Sequence, residues 1–209
     1  MIPDPRDTLE VLAERDPLVA AAVVHVGSLP DRRRPCTLAS LIRIVTGQQL
    51  SVKAAAAIYE RLEHLLGGPP TATRLAAHDD DALRAIGLSR AKVASVRDLG
   101  TASLRGDLDL ASLPSMSDDE VHRHLIVRKG VGPWTVDLVR LFLLGRPDVW
   151  PVGDLGVRAG LQQLLGLDAR PDVARARQLG ERWAPWRSGA ALLCWRLLYV
   201  DDPFLGAAR

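Results

Sequence analysis

An all-α fold is predicted for this chain by three features of its sequence. Apolar residues recur at the spacing that places them on one face of a helix, as in Leu38, Leu41, Ile42 and Val45. Ser, Thr and Asp residues that can cap helices stand directly before such segments. No segment alternates apolar and polar residues as a strand does, and no Asn-Gly or Asp-Gly pair marks a β-hairpin. With 209 residues, the chain can form one compact unit or two small lobes.

Capping residues predict where the helices begin, and glycines predict where several of them end. Residues 117–120 form a capping-box pattern, in which the Ser oxygen and the Glu side chain satisfy each other's backbone N–H groups. Pro133 and Pro185 suit a first helical turn, where no N–H is needed. The predicted side-chain caps are Asp16, Thr37, Ser51, Ser89 and Ser117. The predicted terminating glycines are Gly47, Gly67, Gly145 and Gly166.

Composition excludes several classes of protein. Hydrophobic residues make up 47% of the chain, but no run of about 18 apolar residues occurs, so we expect no membrane span. The N-terminus lacks the order of a signal peptide. The 2 cysteines are too few for a disulfide framework, which favours a reducing, cytoplasmic compartment. A net charge of +2 does not by itself indicate a nucleic-acid binder, so basic residues would have to gather on one face.

The segment from Ser117 to Arg158 organises the rest of the chain. A helix leads into the glycine-bracketed turn 128–132, and a second helix follows with an apolar stripe at i, i+4, i+7 and i+8. The stripe consists of Trp134, Leu138, Leu141 and Phe142. Two glycines in such a turn can leave backbone N–H groups exposed to a phosphate. Taken alone, however, the pattern favours an ordinary helix–helix turn.

Four motifs in this chain resemble one family in sequence and in order. They are Gly47-Gln48-Gln49-Leu50-Ser51, Gly130-Val131-Gly132-Pro133-Trp134-Thr135, the loop from Gly145 to Gly156, and Pro185-Trp186-Arg187-Ser188. Together they resemble the helix-hairpin-helix (HhH-GPD) DNA glycosylase superfamily, and are most similar to its 3-methyladenine DNA glycosylase II branch. The resemblance extends from about Leu38 to Leu198.

This resemblance implies two helical lobes with a helix-hairpin-helix motif and a cleft between the lobes. We expect residues 32–145 to form one lobe that carries the hairpin, and residues 1–31 with 146–209 to form the other. The implied activity is hydrolysis of the bond between a damaged base and its sugar in base excision repair. The implied partner is double-stranded DNA with a flipped base, bound by a monomer in the cytoplasm, at the nucleoid.

Asp154 matches the catalytic aspartate of the family. Breaking the glycosidic bond places positive charge on the sugar, which a fixed carboxylate can stabilise. From the residues alone, an Asp before a helix is an N-cap, and Asp154 could serve both purposes. Gly153 stands where related enzymes often have a second Asp, so a single carboxylate remains.

Trp134, Trp195 and Leu138 are the residues that the resemblance implies for the base pocket. Relatives that cleave the DNA strand carry a lysine at the position of Trp134, where it forms a Schiff base. Because an indole cannot do so, we expect base release without strand cleavage. An electron-rich indole face also suits a cationic purine such as 3-methyladenine or 7-methylguanine. The alternative for both tryptophans is an ordinary place in the core.

The implied DNA contacts come from two turns. In the first turn Gln49 matches the residue that fills the gap left by a flipped base; Gln48 either joins it or caps the preceding helix, and Leu50 lies beside it. The second is the hairpin, with Lys129, Gly130, Val131, Gly132 and Thr135. Lys92 is expected to be solvated or near the DNA backbone. Arg187 is expected to pair with a buried carboxylate.

No catalytic metal and no iron–sulfur cluster are expected, because the chain lacks the cysteines of the endonuclease III branch. The hairpin carbonyls could hold a monovalent cation. Two alternative functions remain open at this point. One is a glycosylase of the same fold that acts on uracil, mismatched thymine or an oxidised base. The other is a non-catalytic helix-hairpin-helix module, which would have no use for a carboxylate near phosphates.

Overall fold

The computed structural model describes residues 3–198, which contain twelve α-helices and no strand. The all-α prediction is confirmed. The chain divides into two compact units. Within the described residues, the central unit comprises 34–139 and the terminal unit comprises 3–33 and 140–198. None of the described helices has the length and apolarity that a membrane span requires.

The central unit contains seven of the helices. They are α3 (Leu38–Gly47), α4 (Val52–Leu66), α5 (Ala72–Ala76), α6 (Asp80–Ala85), α7 (Arg90–Arg105), α8 (Asp118–Ile126) and α9 (Pro133–Leu138). Helix α7 packs against α3, α5 and α6 and so lies at the middle of this unit. Its residues Val96 and Leu99 are fully buried, as are Leu41 of α3 and Leu62 of α4.

The terminal unit is built around the last helix. Its helices are α1 (Asp7–Arg15), α2 (Pro17–Val26), α10 (Leu155–Leu165), α11 (Val173–Gly180) and α12 (Arg187–Leu198). Helix α12 packs on α1, α2 and α10. A side chain at Gly160 would collide with the carbonyl of Cys194, which shows how closely the backbones of α10 and α12 approach. Trp183 and Leu193 are buried in this core.

The predicted caps are confirmed. The side-chain oxygens of Asp16, Thr37, Ser51, Ser89 and Ser117 each accept a hydrogen bond from a backbone N–H in the first turn of the helix that follows. The capping box is present in full, since Glu120 also accepts from the N–H of Ser117. Local side-chain chemistry therefore sets most of the helix starts in this chain.

Two helices are absent from the sequence-based prediction. Helix α1 begins at Asp7 without a side-chain cap, so the strongest local signal is missing there. Its buried Leu9 and Leu12 pack toward α12, where a side chain at Gly189 would lie 2.6 Å from the backbone N of Leu9. The five-residue helix α5 is too short to show a periodic pattern, although Thr71 caps it.

The predicted apolar stripe on the second hairpin helix is wrong in part. Helix α9 ends at Leu138, and residues Val139–Leu143 form a wider π-helical turn. A π-turn advances the chain by an extra residue, so the face inferred from α-helical spacing does not continue through it. Leu138 and Leu141 are buried as expected, whereas Trp134 and Phe142 are only half-buried.

The predicted start of the last helix is also corrected. Pro185 follows a cis peptide bond from Ala184, and α12 begins two residues later, at Arg187.

Candidate functional site

The loop that leads to Asp154 is held by the first residues of α12. Ser188 is fully buried, and its hydroxyl donates to the carbonyl of Arg146 at 2.6 Å. The same oxygen accepts from the N–H of Val149 at 2.9 Å, and the Ser188 N–H donates to the carbonyl of Pro147 at 3.1 Å. These hydrogen bonds hold the backbone of the Gly/Pro-rich loop in place. The motif at residues 185–188 therefore supports a loop that lies about 40 residues earlier in the sequence.

A bidentate ion pair strengthens this connection. Arg187 Nε lies 2.7 Å from Asp148 Oδ1, and its Nη2 lies 2.8 Å from Oδ2. Partial burial raises the pKa of Asp148, but the hydrogen bonds from Arg187 outweigh that effect and hold the pKa below its ordinary value of 3.8. The expected pairing of Arg187 with a carboxylate is confirmed, and the partner is half-buried rather than fully buried.

Asp154 is the N-cap of α10. Its Oδ1 accepts from the N–H of Val157 at 2.9 Å and from the indole N–H of Trp195 at 3.0 Å. The cap is confirmed. The contact with Trp195 was not predicted, since the sequence does not show that α12 brings an indole to the start of α10. Two donors on one carboxylate oxygen hold the side chain in a defined orientation at the surface of the terminal unit.

Trp195 has two close neighbours in the terminal unit. Its ring stacks on Phe142, with ring centroids 5.7 Å apart and planes inclined by 27°. Gly156 also lies against the indole, since a Cβ atom there would be 3.0 Å from both Trp195 Cδ1 and Asp154 Oδ1. The glycine therefore leaves the room in which the indole reaches the carboxylate. In the sequence, the only sign that Gly156 makes room for the indole was its position two residues after Asp154.

The hairpin in the central unit is a tight turn seated on α7. The N–H of Val131 donates to the carbonyl of Arg128 at 3.1 Å, and Gly130 has a φ of +75°. A side chain at Gly130 would collide with Ser95, so this glycine is required by both conformation and packing. At Gly132, by contrast, a Cβ atom would meet no atom of the described residues within 4 Å.

Two further hydrogen bonds attach the hairpin to its unit. The Gln48 amide Nε2 donates to the carbonyl of Gly130 at 2.8 Å and to Thr135 Oγ1 at 2.9 Å. The N–H of Lys129 donates to Asp98 Oδ2 at 3.0 Å. The side chains of Thr135 and Val131 are buried, so a DNA contact by either residue would pass through its backbone. Lys129 is exposed.

The turn between α3 and α4, residues 47–51, is called the wedge turn below. Gln49 has a φ of +58°, a left-handed conformation that is uncommon outside glycine, and its side chain is exposed together with that of Leu50. Gln48 is half-buried, and its amide binds the hairpin instead of capping α3. The sequence shows both glutamines but not which of them points inward.

Lys92 differs most from its expected place. Its ammonium donates to the carbonyl of Thr46 at 2.6 Å and to that of Gln48 at 2.9 Å. The expectation of a solvated lysine is wrong, because α7 carries the side chain directly under the end of α3. Lys92, Ser95 and Asp98 are spaced three residues apart on α7, and this repeated polar spacing was the signal that could have found the cluster.

Trp134 lies in the first turn of α9, and Leu138 lies in the last turn. Trp134 is half-buried, whereas its neighbours Thr135 and Val136 are almost completely buried. The core alternative for Trp134 is therefore not supported, since the core side of α9 is formed by other residues. Leu138 is 9% exposed.

Comparisons with known proteins agree with one another. A family model described as the HhH-GPD superfamily of base excision DNA repair proteins matches residues 42–185. The chain is 34% identical over 165 residues to DNA-3-methyladenine glycosylase 1 of Schizosaccharomyces pombe, and the match covers 78% of this chain and 72% of that protein. It is 31% identical over 163 residues to the putative DNA-3-methyladenine glycosylase YfjP of Bacillus subtilis, covering 75% of this chain and 57% of the relative.

Among solved structures, the chain resembles the S. pombe 3-methyladenine DNA glycosylase Mag1 in complex with abasic DNA. The TM-score is 0.83 at 31% sequence identity, over 90% of this chain and 95% of that chain. The chain thus spans almost all of one solved relative and little more than half of the B. subtilis relative.

Proposed function

The chain belongs to the HhH-GPD superfamily of base excision DNA repair proteins, and from this premise we propose that it is a monofunctional DNA glycosylase that releases alkylated purines of the 3-methyladenine and 7-methylguanine type from double-stranded DNA. The names of both relatives described above support this substrate class. The observation that carries the proposal is Asp154, a carboxylate that α10 and Trp195 hold in one orientation at the end of the Gly/Pro-rich loop.

Asp154 acts on the charge that develops in the sugar. As the bond between C1′ and the purine nitrogen breaks, positive charge spreads over the sugar ring, and a carboxylate fixed in advance stabilises it without reorganising. Water adds its hydroxyl to C1′ and releases its proton to the solvent. Because the purine of 7-methylguanine is cationic, it takes up the bonding electrons and leaves as a neutral base. Modest help from a single carboxylate is then sufficient.

Trp134, Trp195 and Leu138 are proposed to recognise the base. An indole face attracts a cationic ring more strongly than a neutral one, which favours alkylated purines over normal bases. Trp134 and Trp195 are each half-buried, so neither residue is enclosed completely. With tryptophan at position 134, the protein has no amine there to form a Schiff base, so the strand stays intact.

The hairpin is proposed to bind the DNA backbone. Its glycine-bracketed turn and the first turn of α9 present backbone N–H groups, and Lys129 adds an exposed positive charge. Such contacts position the protein on a duplex without reading its sequence. The exposed Gln49 and Leu50 of the wedge turn are proposed to fill the space of the flipped nucleotide. The partner is then double-stranded DNA, bound by a monomer in the cytoplasm, at the nucleoid.

The proposal is tested by single-turnover release of 7-methylguanine from a duplex by wild type and Asp154→Asn. Asparagine is also a good N-cap, so the fold should be kept while the negative charge is lost. We expect release to fall by about 10²- to 10³-fold, the size found when a single charge-stabilising group is removed from an active site. Duplexes with uracil or 8-oxoguanine in place of the alkylated base are expected to release little.

Asp172→Asn is the matched control, because Asp172 caps α11 in the same way, through Oδ1 and the N–H of Arg175. It should release base at the wild-type rate. If Asp154→Asn does so too, Asp154 has no part in the reaction. Borohydride added during turnover should trap no covalent adduct between protein and DNA; an adduct would contradict the monofunctional mechanism.

A further inference from the structure

One side of α7 carries the polar groups that hold both proposed DNA-contacting turns. Lys92, Ser95 and Asp98 follow one another at i, i+3 and i+6, so they lie along one face of the helix. Lys92 binds the wedge turn, Ser95 lies against Gly130, and Asp98 accepts from the N–H of Lys129. All of these residues belong to the central unit.

The contacts of Lys92 are of a strong kind. Both acceptors are main-chain carbonyls at the end of α3, where the helix dipole and the last unpaired carbonyls attract a positive charge. Hydrogen bonds from an ionised donor are about twice as strong as neutral ones. Partial burial lowers the pKa of Lys92 below its ordinary value of 10.5, since some of the solvent around its ammonium has been replaced by protein.

Gln48 extends this support to the hairpin. Its carbonyl accepts from Lys92, while its side-chain amide donates to the carbonyl of Gly130 and to the hydroxyl of Thr135. A continuous path of hydrogen bonds therefore runs from Lys92 through Gln48 to the hairpin. The next residue along the chain is Gln49, with its left-handed backbone and exposed side chain.

We infer that Lys92 is a positioning residue that fixes the wedge turn relative to the hairpin, and that it determines how well the protein keeps a base out of the duplex. The inference rests on the proposed function of the two turns. If the hairpin holds the backbone, the filling side chain must stand at a set distance from it to enter the stack. A displaced wedge matters most when the lesion is well paired, since opening a stable pair costs more than opening a damaged one.

The test compares base release from two duplexes by Lys92→Met, which keeps the length of the side chain but cannot donate. One duplex pairs 7-methylguanine with cytosine, and the other places it opposite a tetrahydrofuran abasic analogue, where no pair has to be opened. On the paired substrate we expect the single-turnover rate to fall about tenfold, a modest share of what two charged hydrogen bonds can contribute. Opposite the abasic analogue the rate should change by less than about twofold. No base pair has to be opened there, so flipping the nucleotide depends little on the wedge turn.

Lys92→Arg, which can still donate, should restore most of the rate on the paired duplex. Gln48→Leu breaks the same path from the other side, so it should show the same dependence on the opposing residue even if Lys92→Met folds poorly. Arg90→Met is the charge control, since it removes a positive charge from an exposed residue of the same helix. It should affect both substrates equally. Equal losses on the two substrates for Lys92→Met, or no loss on either, would overturn the inference.

A second readout does not require base release. A 2-aminopurine placed beside a tetrahydrofuran site brightens when the wedge disturbs its stacking, and wild type should produce this signal. Lys92→Met should lose at least half of the signal at saturating protein, and an undiminished signal would contradict the positioning role. If wild type brightens the probe in a Lys92-dependent manner but releases no alkylated base, the proposed activity fails while the positioning role stands.

Discussion

Trp195 uses two parts of its side chain for different purposes. The ring stacks on Phe142, and the indole N–H donates to Asp154 Oδ1. A pocket aromatic needs only the ring, whereas an orienting residue needs the N–H as well. The donor lies in α12 and the carboxylate caps α10, so the hydrogen bond also fixes the start of α10 relative to α12.

Trp195→Phe therefore separates the two roles at this residue. Phenylalanine retains an aromatic ring but removes the donor, so Asp154 loses the bond from the indole N–H while its cap bond to Val157 stays. We expect single-turnover base release to fall about tenfold, in line with the loss of one hydrogen bond to a charged group. Trp186→Phe, the same change at another half-buried tryptophan of this unit, should leave the rate unchanged.

Gly156→Ala tests the same contact between Trp195 and Asp154 by steric pressure. The new methyl group would press on both Trp195 and Asp154, so the rate should fall without any change in the chemical groups present. A wild-type rate in both Gly156→Ala and Trp195→Phe would show that the orientation of Asp154 does not depend on the indole.

At the level of secondary-structure elements, the two hairpin glycines serve different purposes. Gly130 has a left-handed backbone and packs on Ser95, so the fold requires it. Gly132 has a φ of −102°, which any residue can adopt, and its Cβ direction is open. Nothing among residues 3–198 explains a glycine at position 132, but close approach of a phosphate backbone would.

The hairpin prediction follows from this difference. Gly132→Ala should leave the melting temperature nearly unchanged and weaken binding to abasic-site DNA about tenfold, since a methyl group would stand between the turn and the phosphate. Gly130→Ala should lower stability by about 1–2 kcal/mol, the cost of forcing a side chain into the left-handed region, with a further cost from the contact with Ser95. Calorimetry and fluorescence anisotropy measure the two effects. Unchanged DNA affinity in Gly132→Ala would argue against a phosphate at this turn.

The π-turn after α9 shows where element-level prediction stops. Apolar residues at 134, 138, 141 and 142 fit an α-helical face equally well, and nothing in their identity indicates an extra residue in the turn. The turn follows from tertiary packing: Leu141 and Leu143 are buried, and Phe142 is directed to Trp195. An α-helical continuation would have placed a different set of side chains in the core.

At the scale of the whole molecule, the pair Arg187–Asp148 links pH to stability. The pKa of Asp148 is lowered in the folded protein, so the folded state binds its proton less readily than the unfolded chain does. The stability that the pair contributes is therefore present above the unfolded value of about 3.8 and is lost as the pH falls through the lowered folded pKa.

Asp148→Asn provides the measurement. Its melting temperature should lie below that of wild type at pH 6 to 7, because Arg187 loses its bidentate carboxylate and keeps only the more exposed ion pair with Glu181. The gap in melting temperature should narrow as the pH falls below the ordinary pKa of Asp148, 3.8. Asp81→Asn is the control, since Asp81 belongs to an exposed pair in which Arg84 lies 3.9 Å away. A gap that stays constant down to pH 3 would show that the pair does not titrate in this way.

The fold class and most helix starts could be predicted from the sequence, because they depend on interactions between residues that are close together in the chain. Caps such as Ser117 and Asp154 are recognisable because donor and acceptor lie within three residues of each other. The missing parts depend on partners far along the chain. Trp195 donates to Asp154, 41 positions away in the sequence, and Lys92 donates to Thr46, 46 positions away. A periodic pattern of apolar residues does not predict such distant hydrogen bonds. Helix α1 escaped prediction for a related reason, because its support comes from packing near α12 and not from a cap.

The row of Lys92, Ser95 and Asp98 on α7 also restricts where residues can be inserted into or deleted from this chain. An α-helix turns by about 100° per residue, so one residue inserted between Lys92 and Ser95 would rotate the ammonium out from under the wedge turn while Ser95 and Asp98 stayed in place. Exchanges of one side chain for another leave this alignment intact, whereas insertions and deletions do not. Among homologous chains, the count of residues from the lysine to the aspartate should stay constant even where the surrounding loops lengthen or shorten.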